Sequence, residues 1–247
     1  DSVKLNIMSI LNQKYGITEV DFVSSELELV PAFKARSLGF DSSMVAAYGQ
    51  DDKVCVYTSL TSLLSIEKPE TTAICIISDK EEIGSVGATG MHSRFFENMV
   101  AEVMDRCGQY SELKLRRTLT NSCMLSSDVN SAFDPNYANV NEKKNTAYFG
   151  KGVVFMKYTG SRGKSGSNDA SAEYIGKLRK IMDDNNVSFQ TAELGRVDLG
   201  GGGTIAYILA NYGMNVIDSG VGVQNMHAPY EVISCLLYTS PSPRDTR

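Results

Sequence analysis

Apolar positions along the chain follow two patterns, short unbroken runs and stretches in which they recur every three or four residues. Residues 73–77, Ala-Ile-Cys-Ile-Ile, are apolar without a break and give way to Asp79, Glu81 and Glu82, the pattern of a strand buried on both faces that ends in carboxylates. Shorter strands are expected at 122–127, which runs into Asp128, at 151–158, and at 214–217, which leads through a glycine-rich turn to His227. Helical spacing marks residues 1–16 (Val3, Ile7, Ile10, Leu11, with Gly16 as the stop), 92–107 (Phe95, Phe96, Met99, Val100, Val103, Met104) and 170–182 (Ala172, Ile175, Leu178, Ile181). A further helix is expected at 204–212, opened by the glycines of 200–203, while the Gly/Ser-rich residues 160–167 read as a loop, substrate-facing or linking. Strands alternating with helices define the α/β class: a three-layer α/β/α sandwich around a mixed, mainly parallel sheet.

At 247 residues the chain is long enough for one large α/β domain or two small ones. A net charge of −5 gives no basic footprint for nucleic acid, and the absence of an 18-residue apolar run or a signal-peptide pattern predicts no membrane partner. Five cysteines with no CxxC pair, one of them inside the predicted strand 73–77, suit a reducing, cytoplasmic setting. The opening Asp1, in place of methionine, suggests a fragment.

The acids change this bland picture. Ligand sites in open α/β sheets lie beyond the carboxyl ends of strands, where Glu81, Glu82 and Asp128 fall, and Asp51 and Asp52 stand at the mouth of the segment 54–64. Carboxylates gathered where water is scarce repel one another unless a cation offsets them, and a metal ion is the simplest counter-charge. Adjacent acids can then divide the work, one as ligand and one as general base. Of the two histidines, His92 opens a predicted helix and reads as an ordinary satisfied group, whereas His227 shares the topological position of the acids.

Five segments in order, VPAFKARSLGFDSSMVAAYGQDDKVC, SDKEEIGSVGATG, SSDVNSAFDPNY, ELGRVDLGGGGTIA and VGVQNMHAPYE, resemble the aspartyl aminopeptidase family of dinuclear zinc exopeptidases, over roughly residues 21–234. The resemblance implies zinc-dependent removal of one amino-terminal residue, often acidic, from a peptide substrate by a homo-oligomer. Carried over, it makes Asp51 the carboxylate bridging two zinc ions, Glu82 and His227 ligands of one ion, Asp128 a ligand of the other, and Glu81 the base that takes a proton from the attacking water. Two departures stand out. The family's second zinc also takes a histidine from an HxD motif near the start of the full-length chain, and no such motif precedes Asp51. After residue 234 the resemblance stops. On this reading residues 1–20 are the remnant of an inserted oligomerisation domain, 21–234 the catalytic domain without its first strands, and 235–247 a non-native or disordered tail.

Two rivals belong to other classes. A dinucleotide-binding oxidoreductase would use Gly201, Gly203 and Ala206 at a helix start with Asp218 ending the next strand, but needs a clean apolar strand just before the glycines. A non-catalytic assembly subunit would keep the fold around a degenerate metal site, and zinc content separates it from an enzyme.

Overall fold

The computed structural model describes residues 2–162 and 165–235, in two compact units, residues 1–32 and 33–247. In the first unit α1 (Ser2–Tyr15) is followed by α2 (Glu19–Val23), whose start is fixed by a capping box between Thr18 and Asp21. Neither helix buries a residue: Val3, Leu5, Val20 and Val23 all face solvent. The helical spacing of 1–16 is real, but it has no core to face within this unit.

The second unit is built on a mixed sheet. A hairpin of β1 (Arg36–Leu38) and β2 (Met44–Ala47) leads into α3 (Gln50–Leu64). After a long irregular stretch come α4 (Phe95–Arg106), α5 (Glu112–Thr120, N-capped by Ser111), β3 (Cys123–Ser127) and β4 (Asn130–Ser131). Then follow β5 (Val153–Met156), α6 (Ala172–Asp184, N-capped by Ser171), β6 (Phe189–Ala192), α7 (Ala206–Ala210), β7 (Asn215–Gln224) and β8 (Glu231–Ser234). The order is β1-β2-β8-β7-β5-β6, with β3 and β4 also paired to β7.

β7 organises this unit. Its neighbouring side chains face opposite ways, as pleating requires: Val216 joins the cluster of α4, α5 and α7 residues (Val100, Leu115, Leu119, Leu209), whereas Ile217 joins Phe155, Tyr174 and Leu178. Farther along, Val223 packs with Ile233 of β8 and with Val54 and Cys55 of α3. Helices therefore cover both faces of β7.

Three expectations are corrected. The sheet is mixed but not mainly parallel: β1–β2, β2–β8, β5–β7 and β7–β8 pair antiparallel, and only β3–β7, β4–β7 and β5–β6 parallel. The reason is connection length, since the six-residue turn between β7 and β8 is too short for a crossover. Residues 73–77 form no strand, and Ile74 and Ile77 are exposed; among the described residues the only pairing nearby is a bridge between Asp79 and Gly90. Among the described residues this apolar run has no neighbouring strand to bond with. Finally, β7 runs on through Asp218 to Gln224, so Asp218 lies in mid-strand and is fully buried. The expected tail lies outside the described residues from 236 onward.

Candidate metal centre

Each expected site residue sits where regular structure gives out. Gly49, at φ 70, turns the chain into α3, and Asp51 and Asp52 follow with non-helical backbone and a cis peptide between them. Glu81 and Glu82 ride a single 3-10 turn, Glu81–Ile83, entered through left-handed Lys80 and left through left-handed Gly84. Asp128 interrupts the edge between β3 and β4, its amide donating to Ser219 O at 3.1 Å. His227 lies in the β7–β8 turn at φ 64, a conformation costly for a non-glycine residue and characteristic of sites that fix a side chain.

The structure brings all five, Asp51, Glu81, Glu82, Asp128 and His227, to the wall of one cleft of about 930 Å³. His227 Nε2 stands 3.1 Å from Asp51 Oδ2 and 3.2 Å from Glu82 Oε1. Donor atoms about 2.0–2.2 Å from a tetrahedral zinc stand about 3.3–3.5 Å apart, so one imidazole and two carboxylates at these spacings fit that ion. Asp51 is mostly buried while Glu82 and His227 are more than half exposed. A second group, Asp51, Asp52 and Asp128, has its donor oxygens within 4.8 Å of one another and shares Asp51 with the first. In it Asp52 Oδ1 is buried without a hydrogen-bond partner, as expected of an oxygen whose natural partner is a cation.

Without a cation Asp51, Asp52, Glu81 and Asp128 keep their protons to a higher pH than usual. Burial, then Glu82, pushes Asp51 up to about 6, against the pull of His227. Burial pushes Asp52 up to about 7, and burial with Glu82 and Asp51 beside it pushes Glu81 up to about 7. Asp128 is raised further, chiefly by burial and then by Asp52. This is the electrostatic imprint of a site built for positive charge.

Sequence reading missed three supports. Glu231 is buried at the start of β8, and its carboxylate accepts from Asp51 N at 2.9 Å and from His227 N at 2.7 Å, tying two elements 180 residues apart. Gly220 leaves room for the Asp128 backbone, because a Cβ there would overlap the Asp128 carbonyl oxygen. Asp52 joins the second group. A glutamate four residues after His227 and a glycine two after Asp218 were visible, but neither carries a pairing signal by itself. Two other residues stand outside the centre: Asp79 contacts Lys80 and Thr89 in the open, and His92 Nε2 lies 3.0 Å from Tyr207 Oη.

The fold and these residues define a candidate carboxylate–imidazole metal centre in an α/β fold with a mixed sheet. Residues 1–238 match the family profile of the aminopeptidase I zinc metalloproteases (M18). The chain belongs to that family. It is 66% identical over 232 residues to a probable M18 family aminopeptidase 1 of Clostridium acetobutylicum, covering 94% of this chain and 50% of that protein. The crystal structure of aminopeptidase I from Clostridium acetobutylicum is similar at a TM-score of 0.85 and 63% identity, over 93% of this chain and 49% of that one. An M18 aminopeptidase structure from Thermotoga maritima is similar at a TM-score of 0.89 and 45% identity, over 95% and 52%. The chain thus spans about half the length of the relatives it matches. Membership removes the oxidoreductase rival, whose strand–glycine–helix unit is also absent: β6 ends at Ala192 and α7 begins only at Ala206.

Proposed function

We propose that this chain carries the hydrolytic centre of a zinc-dependent aminopeptidase that removes the amino-terminal residue of peptides. The observation that carries the reading is the Asp51–Glu82–His227 donor set at zinc spacing, in a cleft large enough for a peptide end. Asp51, Glu82 and His227 would hold one zinc, and Asp128 with the shared Asp51, joined by Asp52, would hold a second. When bound, zinc polarises the scissile carbonyl and makes water easier to deprotonate.

The protein's own work is done by neighbouring groups. Glu81, half-buried on the cleft wall, takes a proton from the attacking water and returns it to the leaving amine. Glu231 keeps the Asp51 and His227 backbones at fixed separation. Gly200, Gly201, Gly202 and Gly203 form a wall without side chains along which a peptide backbone can lie.

Around this centre we place a catalytic domain over residues 21–234, a three-layer sandwich in kind, with residues 1–20 belonging to an oligomerisation domain. Self-association follows from the resemblance and a cytoplasmic setting from the five cysteines without a CxxC pair; no described helix is long and apolar enough to cross a membrane. An acidic amino-terminal residue is the substrate class to try first, although among the described residues no lysine or arginine lines the cleft. The test is Glu81→Gln in the full-length protein. Zinc content should be unchanged and hydrolysis should drop by about a hundredfold or more, since the amide cannot accept the proton. Undiminished turnover removes Glu81 from the mechanism. Zinc bound equally well after Asp51→Ala or His227→Ala would refute the site itself.

A further inference from the structure

Below the glycine wall lies a carboxylate that the hydrolysis above does not use. Asp218 sits in mid-β7 with no exposure, its backbone in register with Ser126 on one side and Met156 on the other. The Thr204 hydroxyl donates to Asp218 Oδ1, and the same hydroxyl oxygen accepts from the Ala206 amide at 3.4 Å. Burial raises the Asp218 carboxyl above the usual range, and Thr204 first, then Ser126, Thr159 and Asn168 beside it, oppose that rise. All four of these residues are themselves buried. A buried carboxylate is expensive to keep, and since Asp218 Oδ2, Ser126 Oγ and Asn168 Nδ2 have no hydrogen-bond partner, the bond from Thr204 is the contact that ties Asp218 to the glycine run.

Thr204 on one side and Thr159 and Asn168 on the other are the roots of two facing segments. Thr204 ends the glycine run 200–203. Thr159 and Asn168 close the base of the opposite segment, Thr159 N donating to Asn168 O and Asn168 N to Thr159 Oγ1, each at 3.2 Å. The segments meet backbone to backbone: Gly160 N donates to Gly202 O and Arg162 N to Gly200 O, both at 2.9 Å. Gly201, at φ 98, would set a Cβ against the Gly160 carbonyl oxygen, so only glycine allows this approach. Both segments line the cleft and neither belongs to a helix or sheet, so no regular element holds them in place.

We propose that Asp218 is a positioning residue for peptide binding: through Thr204 it holds residues 200–204, against the facing segment rooted at Thr159 and Asn168, where the backbone of the substrate lies. The proposal deepens the aminopeptidase reading and rests on it. A peptide end bound along main-chain groups needs those groups preorganised, because a wall ordered only on binding would weaken affinity without altering the chemistry at the metal.

The experiment uses the zinc-loaded full-length protein with Thr204→Val, Thr204→Ser and Asp218→Asn. Thr204→Val removes the hydroxyl at nearly constant shape, and Thr204→Ser retains it. For Thr204→Val and Asp218→Asn the expected result is an unchanged zinc content, a KM for short peptides raised about tenfold and a kcat within about threefold of the parent. Amide hydrogen exchange over 200–204 should be faster in these two and unchanged in Thr204→Ser. Wild-type KM and exchange in Thr204→Val would overturn the proposal, and Thr204→Val decides it even if Asp218→Asn fails to fold. Loss of kcat in step with loss of zinc would overturn it too, since that marks a metal-site effect. If the zinc-loaded parent cleaves no peptide, the aminopeptidase reading fails separately, and equal exchange in parent and Thr204→Val would still refute the Asp218–Thr204 link.

Discussion

At the residue scale, the centre depends on carboxylates that do not face the cleft chemistry as much as on those that do. Glu231 gives one oxygen to the Asp51 amide and the other to the His227 amide. Glu231→Gln replaces one acceptor by a donor and leaves one of the two amides unpaired in a buried place, so zinc affinity should fall about 10- to 100-fold. Competition with a chromogenic chelator measures this, and an unchanged affinity would show that the ligands hold position alone. Gly220 is the second case. A methyl group there meets the Asp128 carbonyl, so Gly220→Ala should displace Asp128 and weaken the second metal while sparing the Asp51–Glu82–His227 set. Zinc stoichiometry with the single-site occupancy retained is the expected reading; two undisturbed equivalents would contradict it.

At the element scale, β7 binds the second unit together, and its side chains carry two different cores. Ile217 is fully buried against Phe155, Tyr174 and Leu178. Ile217→Ala should cost about 2–5 kcal/mol of stability, measured by urea unfolding, because the removed side chain leaves a cavity between sheet and α6. A loss below about 1 kcal/mol would mean that α6 closes over the gap. The same strand shows where sequence reading reached and where it stopped. Residues 214–217 read correctly as its apolar start, but the glycines beyond Asp218 look like a turn in sequence and are strand in the fold, because β3, β4, β5 and β8 supply hydrogen bonds on both edges. For residues 73–77 the error ran the other way: an apolar, β-branched run reads as strand whether or not a partner strand is there.

At the scale of the whole molecule, the acids couple metal binding to stability. In the metal-free protein Asp51 titrates near 6 and Asp52 and Glu81 near 7, above their ordinary values of 3.8, 3.8 and 4.5. The folded state then binds more protons than the unfolded state between those limits, so stability falls as pH rises and the contribution is lost above about 7. Metal-free protein should therefore melt at a higher temperature at pH 5.5 than at pH 7.5, these groups dominating. Zinc reverses the sign, because protons compete with the ion for the same oxygens and its stabilisation grows with pH. Melting with and without chelator across that range checks both slopes; parallel curves would mean that the acids do not form the metal site.

What the sequence determined by itself was the chemistry and its order along the chain: acids at the ends of apolar elements, one histidine beyond a strand, and motifs specific enough to point to a zinc exopeptidase family. Those signals are local, and side-chain type and spacing suffice to carry them. Only the tertiary structure decided which groups meet. The Asp51–His227 contact spans most of the chain, Glu231 is useful only because β8 returns beside β2, and Asp218 matters only because a strand continues through it. Such pairings arise from chain crossings that no stretch of sequence encodes locally, which is why the candidate ligands could be named from the sequence and the groups that hold them could not.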